Sequence, residues 1–451
     1  METLRISDIA LACGSRCDSD VVATGVVIDN RQVKKGDVFI AIEGENHDGH
    51  IFAKSAVEAG AVAVICHKEV DVDCPKILVK NTGKALVDLA KWYRTLFDVH
   101  TVGVTGSVGK TTTKEMIWAV MSQKYNTLKN EGNRNNEIGM PLSVLNLSKS
   151  HEAAVFEMGI NTIGDIERLT LIATPSIGVI SNIGVAHIEN VGSREKLLET
   201  KMELVKGMPK GAPLILCKDN DLLRTVRLDD RPIIYYSLNE DADYTAENIR
   251  IDGEKTYFDI CYSGGRQSVE LPAIGDHNVQ NALAAFAVGM LLGVTPELAA
   301  EGLNKYVPSG MRQKIVHKNG ITVVEDCYNA STDSMKAAIA ALSKIKADRR
   351  ILVIGDMLEL GEFSYDAHYE VGVAAAKSDA DLIYAYGKEA EIYAKAVAAN
   401  GRNAELFTDK TKLAQELIGK LREGDAILFK ASRGLKLEEV IYSIYDRWEN
   451  K

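Results

Sequence analysis

One stretch constrains this chain more than any other: His100-Thr-Val-Gly-Val-Thr-Gly-Ser-Val-Gly-Lys-Thr-Thr-Thr-Lys114. An apolar, β-branched run feeds a glycine loop, and a helix-compatible segment from Lys114 to Lys124 follows. Strand, glycine loop and helix in that order make a phosphate cradle. Backbone N–H groups around Gly106 and Gly109 face an anion at the positive end of the helix dipole. In such a loop Lys110 reaches the β- and γ-phosphates, and the Thr111 hydroxyl sits on Mg²⁺. Gly106, Ser107, Val108, Gly109, Lys110, Thr111 and Thr112 are therefore the expected phosphate-binding residues. The general pattern asks for glycine at 104; Val104 stands there, with glycines at 103 and 106.

A chain of 451 residues is too long for one core, and its length suggests about three domains. Its 46% hydrophobic and 26% charged content is that of a soluble globular protein. A net charge of −10 argues against a general nucleic-acid binder, whose affinity rests on basic patches. There is no apolar run of about 18 residues, so no membrane span is expected. The N-terminus lacks the charged-then-apolar pattern of a secretion signal. The seven scattered cysteines include one close pair, Cys13 and Cys17, which no second pair completes into a zinc site. They read as reduced thiols in a cytoplasm.

Residues 1–98 read as a small α/β unit with strands at Asp37–Ile42 and Ala61–Cys66 and a helix from Phe52 to Ala59. From 99 to 309, short non-alternating apolar runs at Ala153–Phe156, Ile177–Ile180 and Leu214–Cys217 predict buried strands of a parallel sheet with right-handed helical connections. Functional groups gather where these strands end, the usual ligand crevice of an open α/β sheet. Glu157 and His187 leave strand ends there and are plausible Mg²⁺ ligands. Thr256–Tyr262 and Gln267–Leu271 read as antiparallel strands, and an alanine-rich helix opens at Asp276 with Asn278 and Asn281 on one face. Residues 310–451 repeat strand and helix, with strands at Ile321–Glu325, Ile351–Ile354, Leu382–Ala385 and Ala426–Phe429. Polar segments again follow these strands, but no G-x-G-x-x-G follows the first.

Read together, these motifs resemble the Mur ligase family of ATP-dependent amide-forming enzymes over essentially the whole chain. The resemblance rests on Thr105–Thr112, Gly132–Pro141, Glu157-Met-Gly, Asn182–His187 and His277–Asn281. Asp326-Cys-Tyr-Asn-Ala and Gly355-Asp-Met-Leu-Glu-Leu-Gly361 are similar to the members that add D-alanyl-D-alanine to UDP-N-acetylmuramoyl-tripeptide. Gly36–Ala41 with Asp48–His50 is similar to their UDP-binding domain.

The resemblance implies three α/β domains: a small UDP-substrate-binding domain (1–98), a central P-loop parallel-sheet ATPase domain (99–309) and a C-terminal Rossmann-like acceptor domain (310–451). It implies ATP, two Mg²⁺ ions, and a tripeptide carboxylate activated as an acyl phosphate. Lys110 and Thr111 would hold phosphate and the first ion, and Glu157 and His187 would serve the second. Asn281, Arg312 and Asp326 would contact the nucleotide. Asn30, Arg31, Asp48, Gly49 and His50 would face the uridine diphosphate, with Asn136 along the substrate channel. Asn329, Asp356, Ser432 and Arg433 would face the dipeptide. A monomer acting in cytoplasmic peptidoglycan precursor synthesis is expected. Asn30, Ser331, Thr332 and Ala431 depart from the family's pattern.

Lys201 stands at helical spacing among Leu197, Leu198, Leu204 and Val205, so it is either a lysine with its head in water or a partly buried amine of lowered pKa. In the family it resembles, the lysine here carries CO₂ as a carbamate, an oxygen anion suited to Mg²⁺. Catalytic roles then fall to Lys110, Glu157, His187 and Lys201. Rival readings are a ligase of the same scaffold for diaminopimelate, lysine or glutamate on folate, a P-loop kinase or switch, and a non-catalytic nucleotide-binding partner.

Overall fold

The computed structural model describes residues 1–44, 47–186 and 188–449. They gather into two compact units: Met1–Val104, Tyr125–Gly178 and Met202–Ala212 in the first, and Thr105–Lys124, Val179–Lys201 and Pro213–Lys451 in the second. The architecture is α/β with parallel sheets.

The first unit contains a four-stranded parallel sheet ordered Gly25–Val27, Asp37–Ile40, Ala63–Cys66, Lys76–Leu78. Its two central strands are buried at every residue, which is why, after the buried Asp37 that opens the first, their sequence is apolar without alternation. The helix expected after the polar loop starts as a 3₁₀ turn, Gly49–Phe52, and continues as Ala53–Glu58. A second parallel set in this unit runs Thr127–Lys129, Ala153–Glu157, His100–Thr105. Its register sets Val104 opposite Glu157. His100–Thr105 passes into the second unit at its last residue, and Ile177–Ile180 crosses the same boundary midway.

In the second unit Leu214–Cys217, Ile233–Ser237 and Tyr244–Asp252 pair in parallel. Lys255–Tyr262 and Gly265–Leu271 then add as antiparallel hairpins. Gly253 (φ 61°) and Gly265 (φ 133°) sit at the reversals, where backbones favourable only to glycine are needed. The C-terminal sheet is ordered Lys314–Lys318, Ile321–Asp326, Asp425–Lys430, Arg349–Gly355, Leu382–Tyr386, Glu405–Phe407. Its first pair is antiparallel and the rest are parallel. Successive residues of its strands point to opposite faces, and both faces are covered. Leu352, Ile354 and Leu428 pack with the Thr332–Leu342 and Ser364–Lys377 helices. Ile351, Val353 and Ile427 pack with the Lys410–Lys420 and Glu438–Glu449 helices. Each such aliphatic side chain contributes about 1.5–3 kcal/mol of burial. All seven cysteines are free. Among the described residues no helix is long and apolar enough to cross a membrane.

Candidate active site

The glycine loop is shaped by a neighbouring strand end. Gly106 has φ 151°, and a Cβ there would lie 2.0 Å from Ser181 Oγ. Gly109, at φ 84°, caps the Lys110–Met121 helix, and a Cβ would come within 2.9 Å of Asn281 Oδ1. No side chain fits at either position. Asn182 locks the loop: its carbonyl accepts the Ser107 N–H at 3.0 Å and its Oδ1 accepts the Val108 N–H at 2.7 Å. Ser181 Oγ donates to the Val108 carbonyl at 2.5 Å. Two N–H groups expected to face an anion are thus engaged by this strand end. Lys110 Nζ folds back to donate to the carbonyls of Gly106 (2.9 Å) and Ser107 (3.3 Å). Thr111 is buried at the first helical turn, and Thr112 hydrogen-bonds Tyr306.

Glu157 ends its strand inside the first unit, buried and wrapped by an asparagine-rich segment. Asn130 donates from Nδ2 to the Glu157 carbonyl at 3.0 Å and accepts the Glu157 N–H at 2.9 Å. Asn135 Nδ2 donates to Glu157 Oε1 at 2.8 Å. Asn136 instead caps the helix Gly139–Val144, accepting the Gly139 N–H at 2.8 Å. His187 lies outside the described residues.

Lys201 is fully buried near the end of the Arg194–Met202 helix, and its amine has no hydrogen-bond partner among the described residues. Burial first, and the positive charge of Lys110 second, hold its pKa well below the ordinary lysine value. The snorkelling alternative is ruled out by this burial. Burial therefore favours the uncharged amine over the ammonium, and Leu197 one turn earlier is equally buried.

Asn281 is held at the loop by Thr113, whose Oγ1 donates to Asn281 Oδ1 at 3.0 Å. Asn278, three residues earlier on the same face, donates to the Ile274 carbonyl (2.9 Å) and to Gln313 Oε1 (2.8 Å). Arg312 lies over the Tyr328 ring, 3.8 Å from its centroid. Asp326 ends its strand in an ion pair with Lys430 at 2.8 Å, and burial pushes its carboxyl pKa up against the pull of that lysine. Burial likewise pushes the neighbouring His277 down to about 4.

The remaining expected residues are engaged by their own loops. His50 is buried, with Nδ1 2.6 Å from Asp48 Oδ1 and Nε2 accepting the His67 N–H at 3.1 Å, which fixes the proton on Nδ1. Asp48 also pairs with Lys68 at 2.8 Å, and these bonds hold its carboxyl well below the usual range. A Cβ at Gly49 would meet the Ile42 backbone at 2.6 Å. Asn30 donates to Ser55 at 3.0 Å; Arg31 chelates Asp29 at 2.7 Å yet leaves 82% of its side chain exposed. Asp356 accepts the N–H groups of Lys388 (2.7 Å) and Glu389 (3.1 Å). Ser432 Oγ accepts the Leu358 N–H at 2.9 Å, and Arg433 pairs with Glu438 at 2.6 Å. Asn329 Oδ1 accepts the adjacent Ala330 N–H at 2.9 Å, and its carbonyl accepts from Lys430 at 3.2 Å. Of the departures, Ser331 forms a capping box with Ser334, and Ala431 packs against Gly355, whose added Cβ would lie 2.8 Å away.

Sequence reasoning did not assign site roles to Asn182, Asn130, Asn135, Lys430 or Lys68. The available signal was position, since Asn182, Asn130 and Lys430 each lie within two residues of a strand's C-terminal end. Among the described residues no group of three or more His, Cys, Asp or Glu side chains could hold a metal ion. Within the second unit the donor chemistry nevertheless suits Mg²⁺: a hydroxyl at Thr111, and at Lys201 a buried amine that a carbamate would convert to oxygen.

A glycine loop closed by Lys110 at a helix N-terminus, on an α/β scaffold of parallel strands, defines a P-loop nucleotide-binding protein. Models of the Mur ligase family match it in sequence order: the Mur ligase family catalytic domain at residues 22–97, the Mur ligase middle domain at 104–289, and the Mur ligase glutamate ligase domain at 311–433. The chain belongs to the Mur ligase family. It is 38% identical over 433 residues to the UDP-N-acetylmuramoyl-tripeptide–D-alanyl-D-alanine ligase of Bacillus subtilis (strain 168), covering 94% of both chains. It is 35% identical over 435 residues to the protein of the same name from Escherichia coli (strain K12), covering 95% of both. Among solved structures it is similar to MurF from Acinetobacter baumannii, with TM-score 0.92 and 29% identity over 99% of each chain. It is also similar to MurF ligase from Thermotoga maritima in complex with ADP, with TM-score 0.85 and 31% identity over 95% of this chain and 98% of that one.

Proposed function

We infer that this chain is an ATP-dependent ligase that joins D-alanyl-D-alanine to UDP-N-acetylmuramoyl-tripeptide, a cytoplasmic step of peptidoglycan precursor synthesis. The observation that carries this reading is likeness from end to end: the ligase of Bacillus subtilis is matched over 94% of its length and 94% of this chain. The Asp326–Ala330 and Gly355–Gly361 blocks favour the dipeptide over another acceptor.

A carboxylate does not condense with an amine in water at neutral pH, so it must be activated. The tripeptide carboxylate attacks the γ-phosphate of ATP, releasing ADP and giving an acyl phosphate. The dipeptide amine then displaces phosphate, losing a proton as the amide forms. Lys110 exchanges the loop carbonyls for the β- and γ-phosphates and neutralises their charge. Asn182 holds the loop in shape while it does so. Asn281, Arg312 and Asp326 are assigned to the nucleotide. Mg²⁺ would screen the phosphate charge, with Thr111, Glu157, His187 and Lys201 as its donors. The Lys201 amine takes up CO₂ to give a carbamate and a proton; its burial, missing partner and lowered pKa support this. We assign residues 1–98 to the UDP end, 99–309 to ATP and 310–451 to the dipeptide. Asn30, Arg31, Asp48–His50 and Asn136 belong to the first substrate, and Asn329, Asp356, Ser432 and Arg433 to the second. The enzyme acts as a monomer.

The test is a phosphate-release assay with ATP and each of the two other substrates omitted in turn. Release only when all three are present supports the ligase. Equal release from ATP alone would sink it in favour of a kinase-like or hydrolytic P-loop protein.

A further inference from the structure

A cavity of about 330 Å³ lies in the second unit, lined by none of the glycine-loop residues. That volume is within the range of small-molecule sites, about 300–1,000 Å³. Most of its wall is apolar: Ile274 and Ile315, Val324 on the first parallel strand of the C-terminal sheet, and Ala338, Leu342 and Ile345 on or just beyond the helix Thr332–Leu342. Val307 lines it too and is 75% exposed, an apolar side chain at the opening that an occupant would cover.

The charged residues around it are already matched. Lys314 pairs with Glu325 at 3.4 Å, Lys255 with Glu270, and Glu254 with His317. None offers an unmatched charge, so an ion would be desolvated there without compensation. The occupant that suits this lining is neutral and mainly apolar.

Two residues of the wall also hold the helix Asp276–Leu291. The Ile274 carbonyl and Gln313 Oε1 both accept from Asn278 Nδ2, and Gln313 Oε1 lies 3.1 Å from His277 Nε2. Gln313 keeps a left-handed backbone, φ 51°, which costs a non-glycine residue about 1–2 kcal/mol and persists only when its surroundings fix it. Its backbone also hydrogen-bonds Asp326. From Asn278 the contact passes to Asn281 at 3.5 Å, and from Asn281 to Thr113 beside the glycine loop.

We propose that this cavity is a regulatory site for a small, neutral, apolar molecule, which tightens nucleotide binding by holding Gln313 on His277 and Asn278. The link to the nucleotide rests on the assignment of Asn281 and Asp326 made above; the binding site itself does not. A filled cavity supports the strained Gln313 backbone, so Asn281 and Asp326 stay in place and ATP loses less freedom to them on binding.

The probe is N-phenyl-1-naphthylamine, a neutral dye whose fluorescence rises in apolar surroundings, titrated into the full-length protein. Saturable binding is expected, with the dye Kd falling about fivefold when MgATP is saturating and the ATP Kd falling by the same factor when dye is saturating, as linkage requires. Ala338→Phe fills the cavity and Val307→Arg places a charge at its opening. Both should abolish dye binding, and the second keeps the proposal testable if the first does not fold. No saturable dye binding to the wild-type protein, or unchanged binding in both variants, overturns the site. Dye binding that these variants abolish but MgATP does not shift overturns the regulatory link. An ATP titration of the protein without dye separates these outcomes, because failure to bind ATP would count against the proposed function instead.

Discussion

The glycine loop and the strand-end loops of the C-terminal sheet use similar residues with different partners. At the glycine loop, polar groups come from distant segments. Asn182, Asn281 and Thr113 each hold the loop or its helix, and Lys201 is a buried amine without a partner among the described residues. At the C-terminal sheet the expected acceptor residues are tied to other loops at the ends of the same sheet's strands, and one to a carboxylate nearby in the chain. Asp356 caps the turn at Lys388 and Glu389, Ser432 ties down Leu358, and Arg433 is paired with Glu438 five residues on. On the reading proposed above, both regions exchange a protein contact for a substrate contact on binding, Lys110 leaving the loop carbonyls and Arg433 leaving Glu438, but only the first carries a buried amine with no partner among the described residues.

The largest effect expected from breaking this contrast is at Lys201. Lys201→Ala should lower ligation by about 10³-fold or more, as expected for loss of a charge placed for the transition state, while melting temperature stays the same or rises. Small carboxylates added to the assay should restore part of the rate. Arginine forms no such carbamate, so a fully active Lys201→Arg enzyme would end the assignment.

Next is Arg433→Ala. Loss of a charge-assisted bond to the dipeptide carboxylate removes about 1.5–3 kcal/mol, so the KM for D-alanyl-D-alanine should rise roughly 10- to 100-fold with the KM for ATP unchanged. An equal rise for both substrates would show that the Glu438 pairing is purely structural. Asn182→Ala should cost about 1–3 kcal/mol by leaving the Val108 N–H without its acceptor, seen as weaker ATP binding in calorimetry and unaltered binding of the UDP-peptide. If ATP affinity holds and only thermal stability drops, the loop is less dependent on its neighbouring strand than the geometry implies.

The smallest effect concerns His277. Its folded pKa of about 4 lies below the usual 6.5, so the unfolded chain takes up the proton first. Stability should therefore be fully present above about pH 6.5, decline as pH falls towards 4, and change no further from this group below that. Taken in full the depression corresponds to about 3 kcal/mol, and because the ring keeps some contact with water the loss should be smaller, on the order of 1 kcal/mol. Denaturant melts of His277→Gln should lack this component of the pH dependence; an identical profile would remove His277 from the account.

Much of this was legible in the chain. The four-residue buried strands are unbroken apolar runs because both faces of a parallel sheet are covered, and the antiparallel pair after residue 255 alternates because one face is not. The short strands Lys314–Lys318 and Thr127–Lys129 escaped notice, since their polar or half-buried residues carry no apolar run to see. The Lys201 helix was expected to continue through Val205 but tightens to a 3₁₀ turn after Met202, because apolar spacing alone does not distinguish the two windings.

The amino-acid sequence alone determined the α/β class, the phosphate loop with Lys110 and Thr111, and the segments from which a site is drawn, because these depend on local spacing and on chemistry that only certain residue types supply. The tertiary structure decided which of those residues hold the scaffold and which are left without a protein partner. His50 and Asn136 are bound into their own loops, Asp356 holds the turn at Lys388 and Glu389, Asn182 reaches across to the loop, and Lys201 is sealed from water. Burial and hydrogen-bond partnership are set by residues tens to hundreds of positions away, and no local pattern records them.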